Sequence, residues 1–269
     1  MNNFEKKYYE DASFWDDGML EDENNKQRII ITANLIPNDV KTLADIGCGN
    51  GVFLNYLKTN KTNLDLIGID RSETALKFVK TKKQKGDIVS LPFNDDHFDC
   101  VSCLEVIEHL PVPIYETALK ELCRISKKYV IISVPYAEKI EDSYTKCPKC
   151  LSIFNYELHL RKYEKTDIEI LLNSNNYKCI SYQTLGDTEK YIGHNLFRKI
   201  FYPEQLLKWN SPICAICGFE NEMEHKETLS KHLNHNTKSS ITSYLTAFPK
   251  LFWPKIKKHY WILALYEKQ

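Results

Sequence analysis

No apolar run in this 269-residue chain is long enough to cross a bilayer. Net charge is also missing. Lys and Arg number 36, as do Asp and Glu, so no global field draws in a long polyanion, although a local basic patch is compatible with that balance. Residues 1–7, MNNFEKK, have no apolar core and do not read as a secretion signal. There is no internal repeat. The nine cysteines cannot all pair. In a chain without a secretion signal they read as reduced thiols, which makes the cytoplasm the expected compartment and a membrane an unexpected partner.

Against these absences stands Thr42-Leu-Ala-Asp-Ile-Gly-Cys-Gly-Asn-Gly51. An apolar run ending at Ile46 predicts a buried strand, the glycines at 47, 49 and 51 a tight turn, and Val52 to Leu57 a helix. Strand, glycine turn and helix are how an open α/β sheet presents a cofactor. A second short strand, Leu66 to Asp70, ends in a carboxylate able to accept both hydroxyls of a ribose. No Lys-Ser or Lys-Thr pair follows the glycines, and Asp45 beside the turn would repel a pyrophosphate. The pocket therefore suits a nucleoside without phosphates.

Leu43 to Gly51, the acid-ended second strand, Gly86-Asp87-Ile88 and Phe98-Asp-Cys-Val-Ser-Cys-Leu104 resemble, in order, four motifs of the class I S-adenosylmethionine-dependent methyltransferases. The resemblance covers roughly residues 40 to 135. It implies a Rossmann-like α/β fold, a seven-stranded methyltransferase sheet with helices on both faces. It also implies a donor site at Asp45, Gly47, Cys48, Gly49, Asp70, Arg71, Asp87, Ile88 and Leu104. In that site Gly47 to Gly51 lie under the methionine, Asp70 holds the ribose and Asp87 accepts the adenine amino group. An ordinary dinucleotide-binding fold is the rival reading.

The remaining organisation follows the alternation of patterns. Residues 1–38 read as a helical lid with aromatics Phe4, Tyr8, Tyr9, Phe14 and Trp15, and with a helix from Asn24 to Ile36. They can instead pack against a sheet edge. Residues 39–135 form the donor-binding core. There Ser72 caps a helix through Lys80, Gly86 to Ser90 is a short strand, Glu105 opens a helical segment, and a helix from Ile114 to Ile125 precedes a strand ending at Pro135. Residues 136–164 and 186–258 read as insertions. Between them, 165–185 returns to a core helix capped by Thr166 and a strand from Tyr177 to Leu185. Residues 259–269 hold the final strand. The segment 220–243 is polar and His-rich.

Two constellations carry further chemistry. Glu105, Glu108 and His109 are spaced i, i+3, i+4, which on a helix is one face. The stretch resembles the Glu-x-x-Glu-His metal face of small-RNA 2′-O-methyltransferases and ubiquinone-pathway O-methyltransferases, and His159 stands where the RNA enzymes place a further ligand. Glu105, Glu108, His109 and His159 are thus candidate catalytic residues and candidate ligands of Mg²⁺ or Mn²⁺. The same His109 could serve as a metal-free general base or as a structural residue. Cys147-Pro-Lys-Cys150 and Cys214-Ala-Ile-Cys217 form two Cys-x-x-Cys pairs, one in each insertion, fitted to a structural zinc ion that ties the insertions into one subdomain, with four free surface thiols or a disulfide as the alternatives. Cys100, Cys103, Cys123 and Cys179 read as core.

The leading expectation is O-methylation of a small polar metabolite: a sugar, a nucleotide-linked sugar or a phosphorylated precursor. Tyr136, Tyr144, Arg161, Tyr163, Tyr191 and His194 would shape its pocket. The zero net charge favours a small acceptor over nucleic acid. A 2′-O-methyltransferase of RNA termini is the enzymatic alternative, and a zinc-stapled binding module with a vestigial cofactor fold is the alternative of another class. Oligomeric state is left open.

Overall fold

The central strand β1, Thr42–Ile46, is flanked by β2, Asp65–Asp70, on one side and β4, Phe98–Leu104, on the other. The protein is described here from a computed structural model, which covers residues 9–10, 12–15, 22–191, 209, 211, 214–219 and 255–269. Seven strands form one sheet in the order β3-β2-β1-β4-β5-β9-β8, with β3 at Lys82–Lys85, β5 at Ser126–Pro135, β8 at Tyr177–Tyr191 and β9 at Lys255–Lys268. The first five run parallel, whereas β9 is antiparallel to both of its neighbours.

Both faces of this sheet are covered, which is why its central strands are mostly apolar and buried, with Asp45, Ser102 and Ser133 as buried polar exceptions. Along β5 the side chains alternate. Tyr129 and Ile131 join Ile29 and Ala33 of helix α1, Glu23–Leu35, and Phe53, Leu54 and Leu57 of α2, Val52–Asn60. Val130, Ile132 and Val134 face the other way, onto Ala118, Leu119 and Leu122 of α4, Val112–Ile125. Between α2 and α4 in the chain lies the short α3, Glu73–Leu76.

Local chemistry sets the ends of these helices. Asp22 accepts the Asn25 amide at 2.8 Å, and Ser72 accepts that of Ala75 at 3.0 Å. Pro111 stands at the N-cap of α4, where its missing amide costs no helical bond.

Several expectations are corrected. The third strand is Lys82–Lys85, not Gly86 to Ser90. All four of its residues are exposed and polar, so no periodicity marks it, and its pairing with β2 creates it. Helix α3 stops at Leu76 rather than Lys80, because the chain must turn to bring Val79 against Gly51. Helix α5, Lys165–Ile170, is capped by Glu164 in a reciprocal box with Asp167, not by Thr166. Strand β8 extends to Tyr191 and β9 begins at Lys255, well beyond the expected apolar runs, since pairing between them continues through polar residues. The first insertion holds an unforeseen hairpin, β6 Tyr144–Lys146 and β7 Ile153–Asn155. The segment 220–243, together with Phe4, Tyr8 and His194, lies outside the described residues. None of the helices among the described residues is long and apolar enough to cross a membrane.

Candidate functional site

The chain runs outward from β1 through β2 to β3 and then crosses back to β4 on the other side of β1, so the carboxyl ends of β1 and β4 form a topological switch point, the crevice where open α/β sheets bind ligands. The glycine turn emerges from one of these ends and Glu105 from the other. Gly47, Gly49 and Gly51 have φ values of 74°, 52° and 74°. A Cβ on Gly47 would come within 2.5 Å of Val106 Cγ2, so the two strand ends approach each other only because that side chain is missing.

Asp70 is fixed at the end of β2. Its Oδ2 accepts the Gly49 amide and its Oδ1 the Ser72 amide, each at 2.8 Å. Burial raises its carboxyl group, opposed by those two amides. Asp45 is also buried, and burial pushes it up to about 7, although the Ser102 hydroxyl donates to it at 2.6 Å. Trp15 lies against Gly49, and its carbonyl accepts from Asn50 Nδ2 at 3.2 Å. Tyr9 stacks under the Arg71 guanidinium at 4.6 Å. Asp87 is exposed in the turn after β3, where its Oδ1 accepts the Val89 amide at 3.2 Å, and Ile88 packs on the core beside it. Cys48 and Leu104 belong to the apolar cluster on the α1 side of the sheet.

Arg28 escaped the sequence reading. It projects from α1 and is 9 % exposed, with Nε lacking a partner among the described residues. Its contacts are a 3.9 Å pair with Glu105 Oε1, a 3.4 Å bond to Asn25 and a position 5.2 Å over the Trp261 ring. The only signal in the sequence was a basic residue amid the apolar spacing of that helix.

The expected helical face at 105, 108 and 109 does not form. Glu105 is a non-glycine residue at φ 57°, and the turn after it is a 3₁₀ segment, Ile107–His109. Glu105 therefore turns away, accepting from Trp261 Nε1 at 2.8 Å and from the Ser133 hydroxyl. Strained φ values gather at functional sites because surrounding contacts must impose them.

Glu108 and His109 instead meet His159, with ligand atoms all within 4.8 Å of one another. Glu108 is 1 % exposed, and neither carboxylate oxygen has a hydrogen-bond partner among the described residues. Burial, and then the neighbouring Glu105, pushes its carboxyl well above the usual range. His109 directs Nε2 toward Glu108 Oε1 at 3.9 Å and Nδ1 toward the Leu158 carbonyl at 3.4 Å. Burial and then His159 hold its imidazole down at about 3. On the far side of His159, Nδ1 lies 2.6 Å from Glu138 and 3.7 Å from Glu157. Burial opposes charging of this imidazole, but the surrounding carboxylates outweigh it and hold it above its usual value. A buried, unpartnered carboxylate facing two imidazoles is a donor set that fits a divalent cation.

Other expected pocket residues are placed differently. Tyr163 is buried and donates to the Tyr115 hydroxyl at 3.1 Å, and Arg161 stacks 3.8 Å over the Tyr115 ring. Tyr144 is exposed on β6, and Tyr136 is bridged to Tyr163 through the backbone.

The two cysteine pairs do meet. Cys147 Sγ is 3.7 Å from Cys217 Sγ, as is Cys150 Sγ from Cys214 Sγ, and all four sulfurs lie within 4.8 Å. A tetrahedral zinc site with bonds of about 2.3 Å has edges of roughly 3.8 Å. Cys100, Cys103 and Cys123 are core residues as expected, and Cys179 is half-buried.

Residues 44–133 match the family model of a methyltransferase domain. The chain is 33 % identical to an uncharacterized protein of Methanocaldococcus jannaschii over 138 residues, covering 49 % of this chain and 57 % of that one. It is 36 % identical over 90 residues to the tRNA (carboxymethyluridine(34)-5-O)-methyltransferase alkbh8 of Xenopus tropicalis, covering 32 % of this chain and 14 % of that one. The chain thus spans about half the length of the first relative and less of the second. Among solved structures, the complex between the Haloferax volcanii Trm112 methyltransferase activator and a putative methyltransferase is similar with a TM-score of 0.55 at 15 % identity, covering 99 % of this chain and 98 % of that one. The glycine turn, the acid-ended β2 and β4 all fall inside the family match, so residues 44–133 are a methyltransferase domain, set in a sheet with the strand order of the class I S-adenosylmethionine-dependent fold.

Proposed function

We propose that the chain transfers the methyl group of S-adenosylmethionine to a hydroxyl oxygen of a small polar acceptor, a sugar or phosphorylated metabolite, with a divalent cation at Glu108, His109 and His159. The observation that carries this reading is the buried Glu108 carboxylate, which has no hydrogen-bond partner among the described residues beside two imidazoles at the end of β4.

Each end of the donor has a complement in this chain. Asp70 takes the ribose hydroxyls with the lone pairs that its two backbone amides leave unused, and Arg71 stands next to it in sequence. Asp87 and the Ile88 backbone take the adenine edge, and Leu104 lines the site at the β4 end. At the methionine end the α-carboxylate pairs with Arg28 and the α-ammonium with Asp45, while Gly47, Cys48 and Gly49 let the thioether lie against the backbone. A bound Mg²⁺ or Mn²⁺ lowers the pKa of an acceptor hydroxyl and fixes its orientation. The protein's own task is alignment: the acceptor oxygen must sit in line with the S–CH₃ bond, and correct placement supplies most of the acceleration in such a transfer. The four thiols take a structural zinc ion.

Calorimetry with S-adenosylmethionine, followed by methyl transfer to hydroxylated metabolites with and without Mn²⁺, tests the reading. Asp70→Ala should weaken donor binding about 10-fold or more, the value of a hydrogen bond to a charged group. Unchanged affinity would put the donor elsewhere, and a protein giving no heat would be a binding module with a vestigial donor fold. A second reading, 2′-O-methylation of an RNA terminus, rests on the resemblance of the Glu105–His109 stretch to the small-RNA enzymes, and partial similarity to a tRNA methyltransferase supports only the wider class of RNA acceptors. Short RNA in the same assay separates the two.

A further inference from the structure

The two Cys-x-x-Cys turns are near copies of each other. The Cys147 amide donates to the Ser152 carbonyl at 2.9 Å, and that of Cys214 to Phe219 at 2.8 Å. Leu151 donates back to the Cys147 carbonyl at 3.0 Å, as Gly218 does to Cys214 at 2.9 Å. Amides of Cys150 and Cys217 approach the first sulfur of their own pair at 3.4 and 3.5 Å. The fifth residue of each turn is left-handed, at φ 61° for Leu151 and 68° for Gly218. Glycine accepts that conformation freely. An exposed leucine does not, so the sulfur cluster imposes the turn on it.

The first of these turns is the tip of the β6–β7 hairpin. Its root is the loop that carries His159. Asn155, the last residue of β7, is 7 % exposed. Its Oδ1 accepts the Glu157 amide at 2.8 Å and the His159 amide at 3.4 Å, and its Nδ2 donates to the Ile140 carbonyl at 3.0 Å. Its own carbonyl accepts from Leu158, which is left-handed at φ 63°. The loop is then stitched to the other half of the site, the Leu160 amide donating to the Glu108 carbonyl at 2.9 Å. Phe154 of β7 meets Trp209 at 6.2 Å, and Trp209 meets Phe219 at 5.9 Å, so the hairpin is also packed against the second cysteine turn.

We infer that the β6–β7 hairpin is a pinned support for His159, in which zinc bound at the four thiolates fixes the tip and Asn155, a positioning residue, passes that order to the Glu157–His159 loop. Zinc occupancy thereby governs whether the Glu108–His109–His159 centre assembles, while the donor site on β1 and β2 is built without it. The inference rests on the divalent-cation reading given above. Its physical basis is preorganisation: ligands held by outer hydrogen bonds bind a metal about 10- to 100-fold better than the same ligands left loose.

The full chain, loaded with zinc, is compared with Cys150→Ser, Asn155→Ala and Asn155→Asp. Zinc is counted by elemental analysis, Mn²⁺ affinity read by electron paramagnetic resonance, and donor affinity by calorimetry. Cys150→Ser should lose zinc and weaken Mn²⁺ binding about 10-fold or more, with donor affinity within about twofold of the parent. Asn155→Ala should keep its zinc and weaken Mn²⁺ to a similar degree, and Asn155→Asp, which retains the acceptor oxygen, should recover most of the loss. Unaltered Mn²⁺ affinity in the zinc-free protein overturns the inference, as does a parallel loss of donor affinity, which marks collapse of the whole chain. If the parent binds no Mn²⁺, the cation reading fails by itself. The His159 imidazole ¹H–¹⁵N resonance then decides: a shift on zinc removal sustains the pinned hairpin, and a fixed resonance removes it.

Discussion

Replacing Glu108 by Gln removes an ionisable carboxyl that the fold buries beside two imidazoles, with no hydrogen-bond partner among the described residues. Burial of such a group is costly unless something compensates it. Glu108→Gln should therefore raise the melting temperature of the metal-free protein while abolishing Mn²⁺ binding. A variant that melts lower without metal would mean that another group satisfies the carboxylate. Asp45 makes a second case. Burial pushes its pKa up to about 7, above its unfolded value, so folding favours the protonated form and the free chain loses stability as pH rises through that window. A donor ammonium beside it favours the carboxylate. Binding should then release a proton below about pH 7, and donor affinity should fall as pH drops from ~8 to ~6. Calorimetry in buffers of different ionisation enthalpy measures this, and an affinity indifferent to pH would remove the ammonium from Asp45. At this scale the placement of Asp45, Gly47 and Asp70 at the carboxyl ends of β1 and β2 was legible in the sequence, because each sits in a local motif. Arg28 was not, since its role depends on α1 crossing the sheet to meet Glu105 and Trp261, residues 77 and 233 positions away.

Between residues and the whole, the antiparallel edge pair reaches into the site. Trp261 on β9 pairs in register with Pro135 and Leu185 and holds Glu105 through its indole. Gly186 lies against its ring. Its φ is 77°, and a Cβ there would come within 2.5 Å of Trp261 Cε3. Gly186→Ala should destabilise the fold by about 1–3 kcal/mol, the usual toll of strain plus overpacking, and should loosen Glu105 as well. Denaturant unfolding reads the first effect. A loss under about 0.5 kcal/mol, the ordinary scatter of surface substitutions, would show that the ring moves aside freely. Strands carried by a short apolar run, such as Phe98–Leu104, were legible at their ends. Strand β3 was not, because four exposed polar residues become a strand only when β2 offers them a register. The helical face expected from Glu105 failed for a related reason. Glu105 is drawn toward Ser133 and Trp261, and that pull sets a left-handed φ which no helix tolerates.

On the scale of the molecule, donor binding and folding are linked. A ligand at about 100 times its Kd adds roughly 2.7 kcal/mol to the stability of a folded protein, which for a chain of this size raises Tm by roughly 5–10 °C. S-adenosylmethionine should do so here, and Asp70→Ala should blunt the shift. An unshifted Tm at saturating donor would contradict the donor site. The sequence by itself determined the sheet's core strands, the glycine turn, the acid that ends β2 and the grouping of four cysteines into two sets of two, because each is specified by neighbours in the chain through strand periodicity, backbone sterics or ligand spacing. Only the tertiary structure decided that Glu105 leaves the Glu108–His109 group, that Arg28 meets Glu105 and Trp261, and that the two cysteine turns, 67 residues apart, close on one another. Those outcomes depend on which distant surfaces are buried together, and a local pattern carries no record of that.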